Sequence, residues 1–382
     1  MKESKKIKCL AYFDAQDSTD DRMNCLAAFT KSSYIFECFE KLGYDVDILS
    51  ASYAVGAHSA KGKVRKLSHN ITLRTLSSLG RGNRIKNIIG RVFFALNLIF
   101  HLLFFVRKND VLWVYHSLGL IRYVKFLKKI KKFKLILEVE EIYGDVTGCK
   151  KTTDWELGFF KCADAYIFCN HMLEKLINTN GKPFAVSHGT YKSEAVISPQ
   201  ADDGRIHIVY AGTFDPRKGG AVTAVKTTGL LDEKYHVHIL GFGNDKDTQA
   251  LLSEIKKVSQ KSTCELTYHG CLTGKDYISF LQGCHIGLST QAIDGTFNDT
   301  SFPSKVLVYM ANGLRVLSVR IPVIEQSDIG GQMYYYDDPA PELVAKAIKS
   351  IDFADGYNGR KIINELNVKF TRDLGLLVEG LE

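Results

Sequence analysis

Residues 300 to 318, Thr-Ser-Phe-Pro-Ser-Lys-Val-Leu-Val-Tyr-Met-Ala-Asn-Gly-Leu-Arg-Val-Leu-Ser, read as a loop, a proline-started helix, a glycine stop and a strand in immediate succession. Pro303 suits a first helical turn, where its missing N–H costs nothing, and Gly313 suits the helix end. Ser304 and Lys305 fall where unpaired N–H groups gather. A unit of this kind aims a helix N-terminus at a ligand, and the free amides, a hydroxyl and an ammonium together favour a diphosphate.

The rest of the chain repeats this strand-and-helix grammar in two blocks. In the first, strands are expected at Lys6 to Phe13, Tyr44 to Ser50, Asp110 to Tyr115, Lys134 to Val139, Ala165 to Cys169 and Phe184 to Ser187, with a helix from Asn24 to Leu42 stopped by Gly43. Ser198-Pro-Gln-Ala-Asp-Asp-Gly204 reads as a polar linker. The second block restarts with a strand at Ile206 to Ala211 and continues with strands at Tyr235 to Leu240, Leu266 to His269 and Cys284 to Ser289. The expected fold class is α/β, with two facing Rossmann-like domains over 1–197 and 205–355 and a helical segment, 356–382, returning to the first domain. Ligands of open parallel sheets bind beyond the carboxyl ends of the strands, and the glycine-rich loops of the second block all lie there.

At 382 residues, 45% hydrophobic and 24% charged, the chain is long enough for two cores and too apolar for disorder. Nine scattered cysteines, none in a C-x-x-C pair, indicate neither a disulfide framework nor a structural zinc site and point to a reducing cytosol. The basic N-terminus runs straight into Cys9-Leu-Ala-Tyr-Phe13, too short and mixed for a signal-peptide core. The formal charge is +8, concentrated in Lys125 to Lys134 and in Arg81, Arg84, Lys86, Arg91, Arg107 and Lys108. The latter flank Val92 to Val106, an apolar segment containing Asn97 and His101 that falls short of the roughly 20 residues that span a bilayer. Two readings of that segment stand: a buried core helix, or an interfacial helix whose basic flanks meet an anionic membrane surface. No nucleic-acid-binding motif accompanies the lysines, so nucleic acid is not expected as a partner.

The wording F-P-S-K-x-x-x-Y-M-A-x-G-x-x-V resembles the nucleotide-sugar half of GT-B glycosyltransferases, particularly the retaining family 4, and the resemblance extends through the second block. Tyr210-Ala-Gly-Thr-Phe-Asp-Pro-Arg-Lys-Gly219 looks like the family's segment whose lysine holds the donor diphosphate. That role carries over to Lys218, with Arg217, Gly212 and Thr213 beside it. Gly241-Phe-Gly243 is similar to the family's G-x-G, and the Gly270-Cys271-Leu272 loop to the one that reads the nucleotide base. Lys305, Ser301 and Ser304 complete the implied diphosphate site. Singly each match is weak, since a G-x-G is usually a tight turn and a loop lysine usually solvated; their order and spacing carry the resemblance.

The chain departs from the family where the two glutamates of E-x(7)-E stand, having Thr300 and Val308 instead. Valine accepts no hydrogen bond, so the ribose contact is lost or rebuilt, with Asp294 or Asp299 available for the sugar. The first block resembles the family more loosely. Arg22-Met-Asn24 to Gly43 looks like the acceptor-side loop and helix, and His188 falls in an interdomain turn, where it fixes loop geometry. Glu138, Glu140, Glu141 and His116, at strand ends, have two readings: a group that orients or deprotonates an acceptor hydroxyl, or structural salt bridges and caps.

No metal-ligand set is legible. His236 and His238 alternate along a strand without visible further ligands, and Asp337-Asp338-Pro339 is a turn. The resemblance implies a metal-independent, cofactor-free, retaining transferase moving a sugar from a nucleoside-diphosphate sugar to a glycan or lipid-linked glycan of the capsule or lipopolysaccharide type; the cysteine pattern and the basic apolar segment add the expectation of a cytoplasmic protein peripheral on the membrane. The alternatives are an epimerase of the same architecture and a catalytically silent nucleotide-sugar binder.

Overall fold

The computed structural model describes residues 5–15, 18, 20–293, 298 and 300–382. The chain divides into two compact units, Met1–Thr190 with Lys369–Glu382, and Tyr191–Val368. The strands of the first are β1 (Lys6–Ala11), β2 (Asp45–Ser50), β3 (Lys63–Lys66), β4 (Ile71–Thr75), β5 (Val111–Tyr115), β6 (Lys134–Val139), β7 (Ala165–Phe168) and β8 (Phe184–Val186). Between them run α1 (Leu26–Lys41), α2 (Arg84–Phe105), α3 (Ile121–Ile130), α4 (Tyr143–Val146), α5 (Lys150–Phe160) and α6 (His171–Ile177).

These strands form one sheet in the order β3-β4-β2-β1-β5-β6-β7-β8, parallel throughout except for the β3–β4 pair. The central strands are near-continuous apolar runs because helices cover both faces; Val-Leu-Trp-Val of β5 is wholly buried. The sequence reading passed over β3 and β4. The first is a charged, mostly exposed edge strand, Lys-Val-Arg-Lys, which carries no apolar alternation to read.

The second unit holds β9 (Ile206–Thr213), β10 (Tyr235–Phe242), β11 (Glu265–Tyr268), β12 (Ile286–Ser289), β13 (Arg315–Val319) and β14 (Tyr334–Tyr336). Its helices are α7 (Gly220–Thr228), α8 (Asp245–Ser259), α9 (Gly274–Gly283), α10 (Lys305–Ala311), α11 (Pro322–Glu325), α12 (Pro341–Lys349) and α13 (Gly359–Glu379). The six strands are ordered β11-β10-β9-β12-β13-β14, all parallel. Strand order reverses between β9 and β12, and a crevice opens at such a switch point. The first sheet has its own reversal between β1 and β5. The last turns of α13 belong to the first unit, where Phe370 stacks on Tyr34 with ring centroids 5.7 Å apart.

α2 corrects the sequence reading of the apolar segment. The helix is 22 residues long, started by the Asn83 side chain accepting the Lys86 amide, and by length and composition it is apolar enough to cross a membrane. Leu98, Leu102 and Val106 are buried in the first unit's core, so the helix lies along the protein. Only 17% of its apolar window is buried: Ile85, Ile88, Ile89, Val92, Phe93, Leu96, Phe100 and Phe104 are exposed. Lys131 from the end of α3 closes its C-terminus, donating to the carbonyls of Leu103 and Val106.

Candidate functional site

In the second unit a cavity of about 290 Å³ opens at the β9/β12 switch point. One wall is the end of β9, with Tyr210, Gly212, Thr213 and then Lys218; the loop after β12 adds Thr290 and Gln291. Ser301, Ser304 and Lys305 close it from the run into α10. Glycine is required at this crossing of loops. At Gly241, with φ at +134°, a Cβ would lie 1.8 Å from the Gly212 carbonyl oxygen, and at Gly220 it would lie 2.2 Å from the Thr290 carbonyl oxygen. α7 begins directly after Lys218 and Gly219, so its first free amides adjoin that lysine.

Lys305 is half-buried, its Nζ 4.3 Å from the centroid of the Tyr210 ring and over the Gly212 backbone, where an added Cβ would come within 3.3 Å of it. Burial, and then the charge of Lys218, lower its pKa to about 8. α10 starts at Lys305, after Pro303 rather than on it, and has seven residues. Its position comes from Tyr309, wholly buried, whose hydroxyl accepts the Ala211 amide of β9 at 2.8 Å. Gly287 of β12 leaves room for that ring, since a Cβ there would be 2.3 Å from it.

The remaining residues named from the sequence fall in three groups. Arg217, with its side chain 87% exposed, turns onto Asp215 through two bonds of 2.8 and 3.0 Å, and holds that carboxyl below its usual range. With Gly243 it borders a separate, open depression of about 680 Å³. Cys271 and Leu272 border neither space; they follow Gly270, whose carbonyl accepts the Gly241 amide at 2.9 Å. Thr300 and Val308 are half-buried and likewise outside the cavity lining, while Asp294 and Asp299 lie outside the described residues. Tyr210, Thr290 and Gln291 were missed; nothing in the sequence places the loop after β12 opposite β9 until the strand order is known.

In the first unit the strand-end carboxylates form a buried network. Lys31 of α1 lies 3.5 Å from Glu138 and 3.1 Å from Glu140, and donates to the Ser187 carbonyl. Glu138 is fully buried and also accepts from the Trp113 indole at 3.2 Å. Burial pushes its pKa well up, Lys31 opposing, and at 0% exposure none of its surface is open to a substrate. Glu140 and Glu141 are half-buried at the strand end. His116, 2% exposed, faces Glu156 at 2.7 Å, and Glu156 in turn accepts the amides of Tyr143 at 3.0 Å and Gly144 at 2.7 Å. That enclosure makes His116 part of the clamp on the turn after β6 and keeps it from any acceptor.

A second cavity of about 520 Å³ lies at the first sheet's own switch point, between the ends of β1, β2, β4 and β5 and the side of α2. Tyr12, Tyr53 and Tyr123 supply rings, and Arg81, Lys86 and Arg91 supply charge at its mouth. Its walls are pinned by Arg22, which is 6% exposed and donates to the carbonyls of Ser52, Leu76 and Lys61 at 3.1, 2.9 and 2.8 Å.

This arrangement of two parallel-sheet units superposes on a set of solved structures. The fold is GT-B. A sucrose-phosphate synthase from Thermosynechococcus elongatus superposes with a TM-score of 0.68 at 14% identity, covering 98% of this chain and 99% of that one. An α,α-trehalose-phosphate synthase (UDP-forming) from Burkholderia vietnamiensis gives 0.64 at 12% identity over 100% and 99%. An E. coli trehalose-6-phosphate protein bound with UDP-2-fluoro glucose gives 0.65 at 11% identity over 98% of each chain. No family model and no curated protein matches the sequence. At these identities the likeness is one of GT-B architecture, matched over nearly the whole chain.

Proposed function

We propose that this chain is a glycosyltransferase that takes a sugar from a nucleoside-diphosphate donor held by the second unit and passes it to a hydroxyl of a phosphate-bearing acceptor held by the first. The observation that carries the reading is the cavity at the β9/β12 reversal, where Lys218, Lys305, Ser304 and the Gly212–Thr213 backbone meet. As the anomeric bond breaks, negative charge grows on the leaving diphosphate, and two ammonium groups and the first amides of α7 are already in place to meet it. Retention of configuration and independence from a divalent ion belong to this proposal.

On the acceptor side, tyrosine rings suit sugar faces and Arg81, Lys86 and Arg91 suit a phosphate. The E. coli and Burkholderia neighbours are named for trehalose phosphates and the Thermosynechococcus one for sucrose phosphate, so a phosphorylated acceptor has support from fold as well as charge. The apolar exposed face of α2, on the same helix as Lys86 and Arg91, favours an acceptor whose phosphate is anchored in a membrane, as in a lipid-linked surface glycan. Glu140 is the carboxylate this reading assigns to the acceptor hydroxyl.

The test is release of nucleoside diphosphate from a panel of UDP-, GDP-, CMP- and dTDP-sugars, with CMP release read for the CMP donors. Each donor is offered with free sugar phosphates or with lipid-linked pyrophosphate glycans in detergent. Acceptor-dependent release in either arm supports the transferase, and the arm that responds decides between free and membrane-held acceptors. Sugar interconversion without acceptor points to an epimerase, and donor binding without turnover in any arm to a silent binding protein.

A further inference from the structure

Three histidines that look unrelated in sequence converge in the second unit, far from the diphosphate cavity. His207 of β9 pairs in register with His236 of β10, and His238 lies two residues on, so all three side chains share one sheet face. They stand near the amino ends of the strands; His236 precedes Gly241 by five residues, roughly 16 Å of strand. One ring nitrogen from each lies within 4.8 Å of the others. His236 and His238 are 8% and 5% exposed, and the His207 side chain 12%.

The proton accounting identifies which lone pairs are available. His207 Nε2 is 3.0 Å from the Asp203 carboxylate and must donate to it, leaving the lone pair on Nδ1. That Nδ1 faces Nε2 of His238 at 2.9 Å, while Nδ1 of His238 faces Nε2 of His269 at 3.0 Å. His236 Nε2 is engaged by Thr267 Oγ1 at 2.9 Å and by Glu265 at 3.4 Å, and its Nδ1 is buried with no hydrogen-bond partner.

We propose that His207, His236 and His238 bind a divalent transition metal of the zinc class, with water completing four-coordination. Three imidazoles are the ligand chemistry such ions take, and carboxylates on the far ring nitrogens of His207 and His236 are the outer contacts that orient imidazole ligands. Loading needs no net proton release. The Nε2 proton of His238 moves to its own Nδ1, which then donates to Nε2 of His269, whose proton in turn shifts to the Nδ1 of His269, and the metal takes Nε2 of His238, Nδ1 of His207 and the orphan Nδ1 of His236. Arg205, paired with both Asp203 and Glu265, keeps the two carboxylates in place. The ion ties β9 to β10 at the end of the sheet opposite the donor, so its role is structural.

The test uses the full-length protein freed of metal with a chelator and titrated at pH 7.5 with Zn²⁺ and with Co²⁺. One ion per chain is expected, with a rise in Tm that saturates at one equivalent and the visible absorption of four-coordinate Co²⁺. His207→Gln, on the rim of the cluster, should weaken binding at least a hundredfold. Asp203→Asn should weaken it about tenfold while leaving the metal-free Tm little changed. His236→Asn reports the orphan nitrogen, and should the fold not tolerate it, the two rim variants still decide. No saturable binding to the wild-type protein, or undiminished binding in His207→Gln, overturns the proposal and leaves a hydrogen-bonded imidazole chain.

Discussion

The Lys305 ammonium rests 4.3 Å from the centre of the Tyr210 ring, in the cavity at the β9/β12 reversal. This contact fixes a flexible side chain where a diphosphate oxygen is expected, at the cost of partial burial. A pKa lowered to about 8 is the result, with the charge of Lys218 adding to it. In the proposed reading, bound diphosphate supplies a counter-charge to this lysine.

Donor affinity should therefore fall with pH. Between pH 7 and pH 9 the protonated fraction of Lys305 in the free protein drops about tenfold, and the donor dissociation constant should rise by about the same factor. Stability of the unliganded protein should move the other way. A lysine whose folded pKa lies below its unfolded value opposes folding while both states are charged, and that penalty is relieved as pH climbs from about 8 towards 10.5. Calorimetric titration of a nucleoside diphosphate at several pH values checks the first effect, and Lys305→Arg should flatten its slope because arginine stays charged.

Lys218 and Arg217 are adjacent in sequence and opposite in expectation. Lys218→Ala should lower kcat/KM by about a hundredfold to a thousandfold, the range for removing one group that meets transition-state charge. Arg217→Ala should change it little, because that guanidinium is spent on Asp215 outside the cavity. Lys261→Ala, in a polar stretch away from every motif, serves as the silent control. Steady-state rates at saturating acceptor decide; equal losses at 217 and 218 would move the diphosphate out of this cavity.

How much of this was legible beforehand follows from what each residue depends on. The parallel strands were readable because their apolar runs are local, and Gly313 was readable because a helix stop at positive φ is also local; its φ is +90°. The clustering of Lys218 with Lys305 was expected from motif wording, not from geometry, and Thr300 and Val308, where the resembled family has its two glutamates, lie outside the cavity lining. The histidine triad was invisible because register between β9 and β10 brings His207 to His236, and register is a long-range fact. His116 shows the converse. Its place after a strand suggested chemistry, while Glu156, 40 residues on, encloses it.

Gly241→Ala should cost about 2–4 kcal/mol and disturb donor binding together with the fold. Its φ of +134° disfavours any side chain, and the Gly212 carbonyl blocks the space a Cβ needs. Urea unfolding measures the loss. A neutral outcome would mean that the β9 and β10 loops do not pack as described.

Glu156→Ala should destabilise the first unit by about 3 kcal/mol or more, since the amides of Tyr143 and Gly144 and the His116 ring lose their buried acceptor together. The same variant discriminates between scaffold and catalysis at His116. If folding is undisturbed and turnover alone collapses, His116 belongs to the chemistry after all.

The two sides of α2 should respond differently to the same substitution. The apolar positions along this helix fall into two sets: Phe93 is 41% exposed, whereas Leu98, Leu102 and Val106 are at most 2% exposed, and Phe94 packs on Tyr53 at 5.6 Å. Phe100→Ser with Phe104→Ser removes two rings that are 58% and 70% exposed, and should reduce sedimentation with anionic liposomes severalfold while leaving Tm almost unchanged. Leu98→Ser should do the reverse, lowering stability by about 2–4 kcal/mol through a buried hydroxyl and a cavity. Wild-type binding should grow with anionic lipid and fade with salt, because Arg84, Lys86, Arg91, Arg107 and Lys108 on the flanks act through screened charge. A wild-type protein that stays in solution with anionic vesicles at low salt would remove the membrane from the proposal and leave a free sugar phosphate as the acceptor.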